Sequence, residues 1–123
     1  MIKTLGQVML YVEDVNAVKE FWLNQVGFEL IEEHKSPEIH YAEIAPTAQS
    51  ETHFVLFERA MIEKSAPELN FGTPSLMFRT EDANVLYQTF QAKGITVGEL
   101  VERGESTVFN FADVEGNYFA VTD

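Results

Sequence analysis

The tetrapeptide Glu13-Asp14-Val15-Asn16 returns 68 residues later as Glu81-Asp82-Ala83-Asn84, and Gly27-Phe28 returns as Gly94-Ile95. Each copy sits at the same point in the same succession of hydrophobic patterns. A chain with that internal echo is constrained to build one supersecondary unit twice. In the first half, Leu5 to Val12 is a nearly continuous apolar run that predicts a strand covered on both faces. Asp14 offers an N-cap oxygen before Val15, Val18, Trp22 and Val26, which fall on one helical stripe, and Gly27 stands where such a helix ends. Phe28–Glu33, Ile39–Ala45 and His53–Glu58 predict three further strands.

The second half repeats that grammar. Ser75–Thr80 predicts a strand, and Asp82 caps a helix whose stripe is Ala83, Leu86 and Phe90. Gly94 closes the helix, and Ile95–Val101, Thr107–Ala112 and Tyr118–Val121 predict three strands. Asp113–Asn117 is a hairpin turn with Gly116 where a positive φ is wanted. The segment 59–74 holds Pro67, Gly72 and Pro74 without a steady period and predicts a linker. The expected fold is therefore α+β, two tandem βαβββ modules within one 1–123 domain. Module one covers about residues 1–60 and module two about 75–123. A ferredoxin-like βαββαβ unit, the competing architecture, would leave one strand over in each half.

With 20 acidic against 8 basic residues the formal charge is −12, which argues against nucleic-acid or anionic-membrane partners. No apolar run approaches the ~20 residues of a membrane helix, and the start lacks a signal-peptide pattern, so a cytoplasmic location is expected. The absence of cysteine removes disulfides, thiolate metal sites and a cysteine nucleophile. The acidity favours a cationic small molecule over an anionic one at long range. No phosphate loop or nucleophile elbow occurs.

Gln7-Val8-Met9-Leu10-Tyr11-Val12-Glu13-Asp14, Phe21-Trp22, Gly27-Phe28 and the turn Asp113-Val114-Glu115-Gly116-Asn117 resemble the vicinal oxygen chelate superfamily, which holds glyoxalase I, bleomycin resistance proteins and extradiol dioxygenases. The resemblance spans essentially the whole chain. It implies curled mixed sheets enclosing a cleft, usually in a homodimer. It also implies, in the metal-dependent members, a divalent ion held by one residue from the first and one from the last strand of each module. Mapped here, those positions are Gln7, Leu56, Ser75 and Ala120. Only Gln7 suits an ion, so no metal or other cofactor is expected.

Among the histidines, His34 and His53 are expected at exposed strand ends. His40 pairs with Leu56 if the turn centres on Ala48, which makes Gln7 and His40 the only metal candidates. The same arithmetic pairs Asn110 with Ala120. Tyr11, Phe54 and Tyr118 share strand faces with Gln7, Leu56 and Ala120, and Arg79 alternates with Ser75. Phe21, Trp22, Phe28, Phe57, Phe78, Phe90 and Phe119 are assigned to the core. The expected ligand site is thus Gln7, Tyr11, His40, Phe54, Leu56, Ser75, Arg79, Asn110, Tyr118 and Ala120. Two functions stay open on these residues. One is metal-free binding or sequestration of a small molecule. The other is a lyase, isomerase or dioxygenase that uses a divalent metal held by an atypical ligand set.

Overall fold

The computed structural model describes residues 1–123 and contains the repeat as two compact units, Met1–Thr73 and Pro74–Asp123. Unit 1 runs β1 (Gln7–Val12), α1 (Val15–Glu20), β2 (Glu29–Lys35), β3 (His40–Ala45), β4 (His53–Glu58) and α2 (Arg59–Ser65). Unit 2 runs β5 (Met77–Arg79), α3 (Ala83–Ala92), β6 (Val101–Arg103), β7 (Ser106–Ala112) and β8 (Tyr118–Thr122). The fold is mixed α+β. Sheet 1 has the strand order β1-β4-β3-β2 and sheet 2 the matching order β5-β8-β7-β6. In each, the first strand runs parallel to the last, and the remaining pairs are antiparallel. Two βαβββ units account for every strand, and the βαββαβ alternative is excluded.

The helix signals act as expected. Asp14 accepts from the Ala17 amide at 3.1 Å and Asp82 from the Val85 amide at 3.2 Å, so both helices start on a carboxylate cap. After Glu20 the first helix widens into a π-helical stretch, Phe21–Val26. Its last turn closes with the Gly27 and Phe28 amides both donating to the Trp22 carbonyl, at 3.0 and 2.8 Å. Gly27 makes the exit at φ 97°, a conformation that disfavours any residue with a Cβ. Val15, Val18, Phe21 and Trp22 are thereby turned onto the helix-covered face of sheet 1, where Leu10, Ala42, Ile44 and Leu56 are buried. In unit 2, Phe90 of α3 meets Phe109 and Phe111 with ring centroids 5.9 and 5.1 Å apart.

Four expectations are corrected. The segment 59–74 is not all linker: it contains α2, along which Arg59 and Glu63 pair at 3.0 Å. β1 is not covered on both faces: Gln7 and Met9 are exposed while Leu10 and Val12 are buried. The strand predicted over Ile95–Val101 is only an isolated bridge between Val97 and Phe111. The true β6 is Val101–Arg103, because Gly104, at φ 61°, is the first central residue of a two-residue hairpin that pairs Arg103 with Ser106. Finally, Phe57 pairs with Tyr11 and Tyr41 on the face of sheet 1 turned away from α1.

Glu33 on β2 links that sheet to the helix, accepting from Lys19 and meeting His40 Nε2, each at 3.0 Å. The His40 contact, then Lys19, holds the Glu33 carboxyl below its ordinary value. A depressed carboxylate stabilises the fold above its unfolded value and loses that contribution as pH falls through the lower folded value. Glu33→Gln should therefore lower the stability at pH 7, by no more than about 0.5 kcal/mol for a partly exposed pair. The difference should shrink as pH falls through the lowered folded value, as read by thermal melts in circular dichroism.

Candidate functional site

Because strand side chains alternate, the register divides each sheet into a helix-covered face and an opposite one. In sheet 1 the pairs Gln7↔His53, Met9↔Val55↔Glu43 and Tyr11↔Phe57↔Tyr41 lie opposite α1. The last row is aromatic across the sheet. Tyr11 stacks on Phe57 at 6.0 Å, Tyr41 meets Phe57 at 5.7 Å, and His34 stacks on Tyr41 at 5.6 Å. Beyond the β1 edge Phe71 meets Tyr11 edge-on at 5.0 Å.

At the other end of this face a polar group forms. Glu43 Oε2 lies 2.6 Å from His53 Nδ1 and accepts from Gln7 Nε2 at 3.4 Å. His53 Nε2 lies 2.8 Å from the Ser50 carbonyl, so both ring nitrogens face an acceptor. Gln7 and Tyr11 thus occupy the face the sequence assigns them, with Glu43 and His53 as polar neighbours that the sequence reading did not assemble. The signal was the alternation Tyr41–Glu43, which sets Glu43 opposite the His40–Ala42–Ile44 series.

Leu56, Phe54 and His40 are corrections. Leu56 pairs with Leu10 and Ala42 and is 0% exposed on the helix-covered face. Phe54 is on the same face, with its ring 5.4 Å from that of Trp22. His40, 4% exposed, is held by Glu33 on that side too. His40 and Leu56 do share a face, but it is the core. All three share the face that α1 covers, so one misjudged face removes three candidates together.

In sheet 2 Arg79, Asn110, Tyr118 and Ala120 share one face. Met77↔Ala120↔Asn110 forms one row and Arg79↔Thr122↔Val108 the next, with Tyr118 on the same face. This face is open within its unit, and Met77 and Tyr118 are 55% and 58% exposed. Two depressions meet over the Asn110–Ala120 pair. The larger, about 250 Å³, reaches Met77, Val108, Val101, Glu99 and Arg103, and the smaller, about 170 Å³, reaches Ser75 and Tyr118. Glu99, Val101 and Arg103 were missed because β6 was placed too early in the chain. The Gly104–Glu105 turn was the available signal.

The matching sequence family is the Glyoxalase/Bleomycin resistance protein/Dioxygenase superfamily, over residues 4–121. The chain belongs to this superfamily. A relative in Bacillus subtilis strain 168, the uncharacterized protein YetH, is 33% identical over 125 residues and covers all of both chains. Among solved structures, the chain is similar to TnmS3, an antibiotic binding protein from Streptomyces sp. CB03234. That match has a TM-score of 0.80 and 21% identity over 98% of this chain and 94% of the other. It is also similar to lactoylglutathione lyase from Agrobacterium tumefaciens, at TM-score 0.68 and 18% identity over 98% and 93%. At those identities the likeness concerns the fold, which carries a binder in one case and an enzyme in the other.

The superfamily's divalent ion does not fit this donor set. Ser75 and Ala120 provide a weak hydroxyl and a methyl group, and Leu56 faces the core. Gln7 is engaged with Glu43, whose Oε2 atom also faces His53. No group of three or more His, Cys, Asp or Glu side chains is arranged to hold a metal.

Proposed function

We propose that this protein binds a small, largely apolar molecule on the open face of sheet 2, without a metal ion, and sequesters it rather than transforming it. The observation that carries this reading is the pair of adjoining depressions floored by Ala120 and edged by Met77, Val108 and Tyr118. An apolar concavity with a few polar groups at its margin is the usual form of a small-molecule site. The Asn110 side-chain amide stands between the two depressions with no hydrogen-bond partner inside the protein, and Ser75 marks the far end. The likeness in fold to an antibiotic binding protein supports binding as a use of this architecture.

A second reading, metal-assisted catalysis, draws on Gln7, Glu43 and His53, where ligand-type side chains converge on the face of sheet 1 opposite α1. Their mutual hydrogen bonds favour a structural role. Equilibrium dialysis against zinc that gave one bound ion per chain, lost in His53→Ala, would establish the catalytic reading instead.

The binding reading is tested by filling the floor. Ala120→Trp places a ring in about 250 Å³ of free space, so the melting temperature should change by less than about 4 °C, or ~1 kcal/mol. Capture of the neutral fluorescent probe N-phenyl-1-naphthylamine should be abolished. If Ala120 were instead packed against neighbours, the same change would cost roughly 1–3 kcal/mol through overpacking. A larger drop in melting temperature, or undiminished probe capture, would remove the site from this face.

A further inference from the structure

The open face of sheet 2 carries two of the three arginines of the chain, Arg79 and Arg103. Neither makes an ion pair or hydrogen bond within the protein, although 20 carboxylate side chains are available. The third, Arg59, is paired with Glu63 and lies over the Phe71 ring. Arg103 is part of the wall of the larger depression. Arg79 stands on the same face in the row next to the floor. A planar guanidinium left unpaired beside an apolar floor is suited to a bidentate contact with an oxyanion.

We propose that the molecule held on this face is an amphiphilic anion, with its apolar body over Met77, Ala120 and Val108 and a carboxylate or comparable oxyanion received by Arg103. This rests on the binding reading above and adds the charge of the ligand. The net charge of −12 acts against an anion at long range. At physiological salt that field decays over about 8 Å, so groups at contact distance decide. The charged groups at contact distance are Arg103 and Glu99, which share the larger depression, with Arg79 nearby. Glu99 opposes an anion, so its removal should strengthen binding. The free Asn110 amide offers a neutral donor between the two depressions.

Three isosteric probes separate charge from shape: 2-naphthoate, 2-naphthalenemethanol and 2-naphthylmethylammonium. Each is titrated into the full-length protein while the amide resonances of Met77, Val101, Asn110 and Ala120 are followed by NMR. The carboxylate should bind about tenfold more tightly than the alcohol, as a charge-assisted hydrogen bond provides. In Arg103→Met that preference should fall to near unity, and in Glu99→Gln it should rise. Both substitutions are of exposed side chains, and unchanged spectra elsewhere verify the fold. If the alcohol or the ammonium binds as tightly as the carboxylate, or if Arg103→Met keeps the preference, the anion assignment is wrong and the binding reading stands. If none of the three probes moves these resonances, both are wrong.

Discussion

Leu56→Glu is expected to unfold unit 1 rather than to create a metal ligand. The resemblance in sequence suggests that a glutamate near this point would restore a lost coordination position. The register instead places Leu56, fully buried, between Leu10 and Ala42 under α1. An uncompensated carboxylate there would cost several kcal/mol, about 4 or more, or would remain protonated at a similar penalty. Met9→Glu, on the opposite face of the same sheet and 46% exposed, should change stability by no more than about 0.5 kcal/mol. Urea denaturation followed by circular dichroism distinguishes the two. A stably folded Leu56→Glu protein that bound zinc in equilibrium dialysis would overturn the assignment of faces in sheet 1.

Trp22→Ala should be the most damaging large-to-small change in the chain. Trp22 is fully buried where the helix widens, and its ring lies 5.6 Å from Phe21, 4.8 Å from Phe28 and 5.4 Å from Phe54. These partners come from the helix, the strand approach and β4, so one side chain ties three segments. Replacing a buried tryptophan by alanine costs about 3–5 kcal/mol through lost transfer energy and the cavity left behind. For a domain of this length that is a fall of roughly 10–20 °C in melting temperature. Far-UV circular dichroism is the appropriate reading, since this is the only tryptophan. A fall of under about 4 °C would mean that the helix does not organise the core of unit 1.

The same two residues mark what could be read from sequence. Trp22 was legible because its environment is local: a helical stripe, an N-cap at Asp14 and a glycine exit at Gly27 settle which side of the helix it occupies. The doubled βαβββ order was legible for a related reason. Short-range signals recur in both halves, and agreement between copies corrects errors in either. In unit 2 even the pairing of Asn110 with Ala120 followed from sequence, since the Asp113–Asn117 turn has a well-defined centre. There Asp113 accepts from the Glu115 and Asn117 amides, both at 2.9 Å.

Leu56 was not legible, because its face depends on how β4 pairs with strands that are distant in the chain. The β3–β4 connection brings Ala42, not His40, opposite Leu56. That two-residue offset leaves parity unchanged, so His40 and Leu56 stayed together while the face they share was misjudged. Only the packing of α1 on β3 and β4 decides that this face is the core. The grouping of Gln7, Glu43 and His53, and of Arg103 with Asn110 and Ala120, likewise joins residues on different strands. Periodicity determined which residues alternate. Which of the two alternating sets is buried is a property of tertiary packing, because the strand period of two is the same whichever face the helix covers.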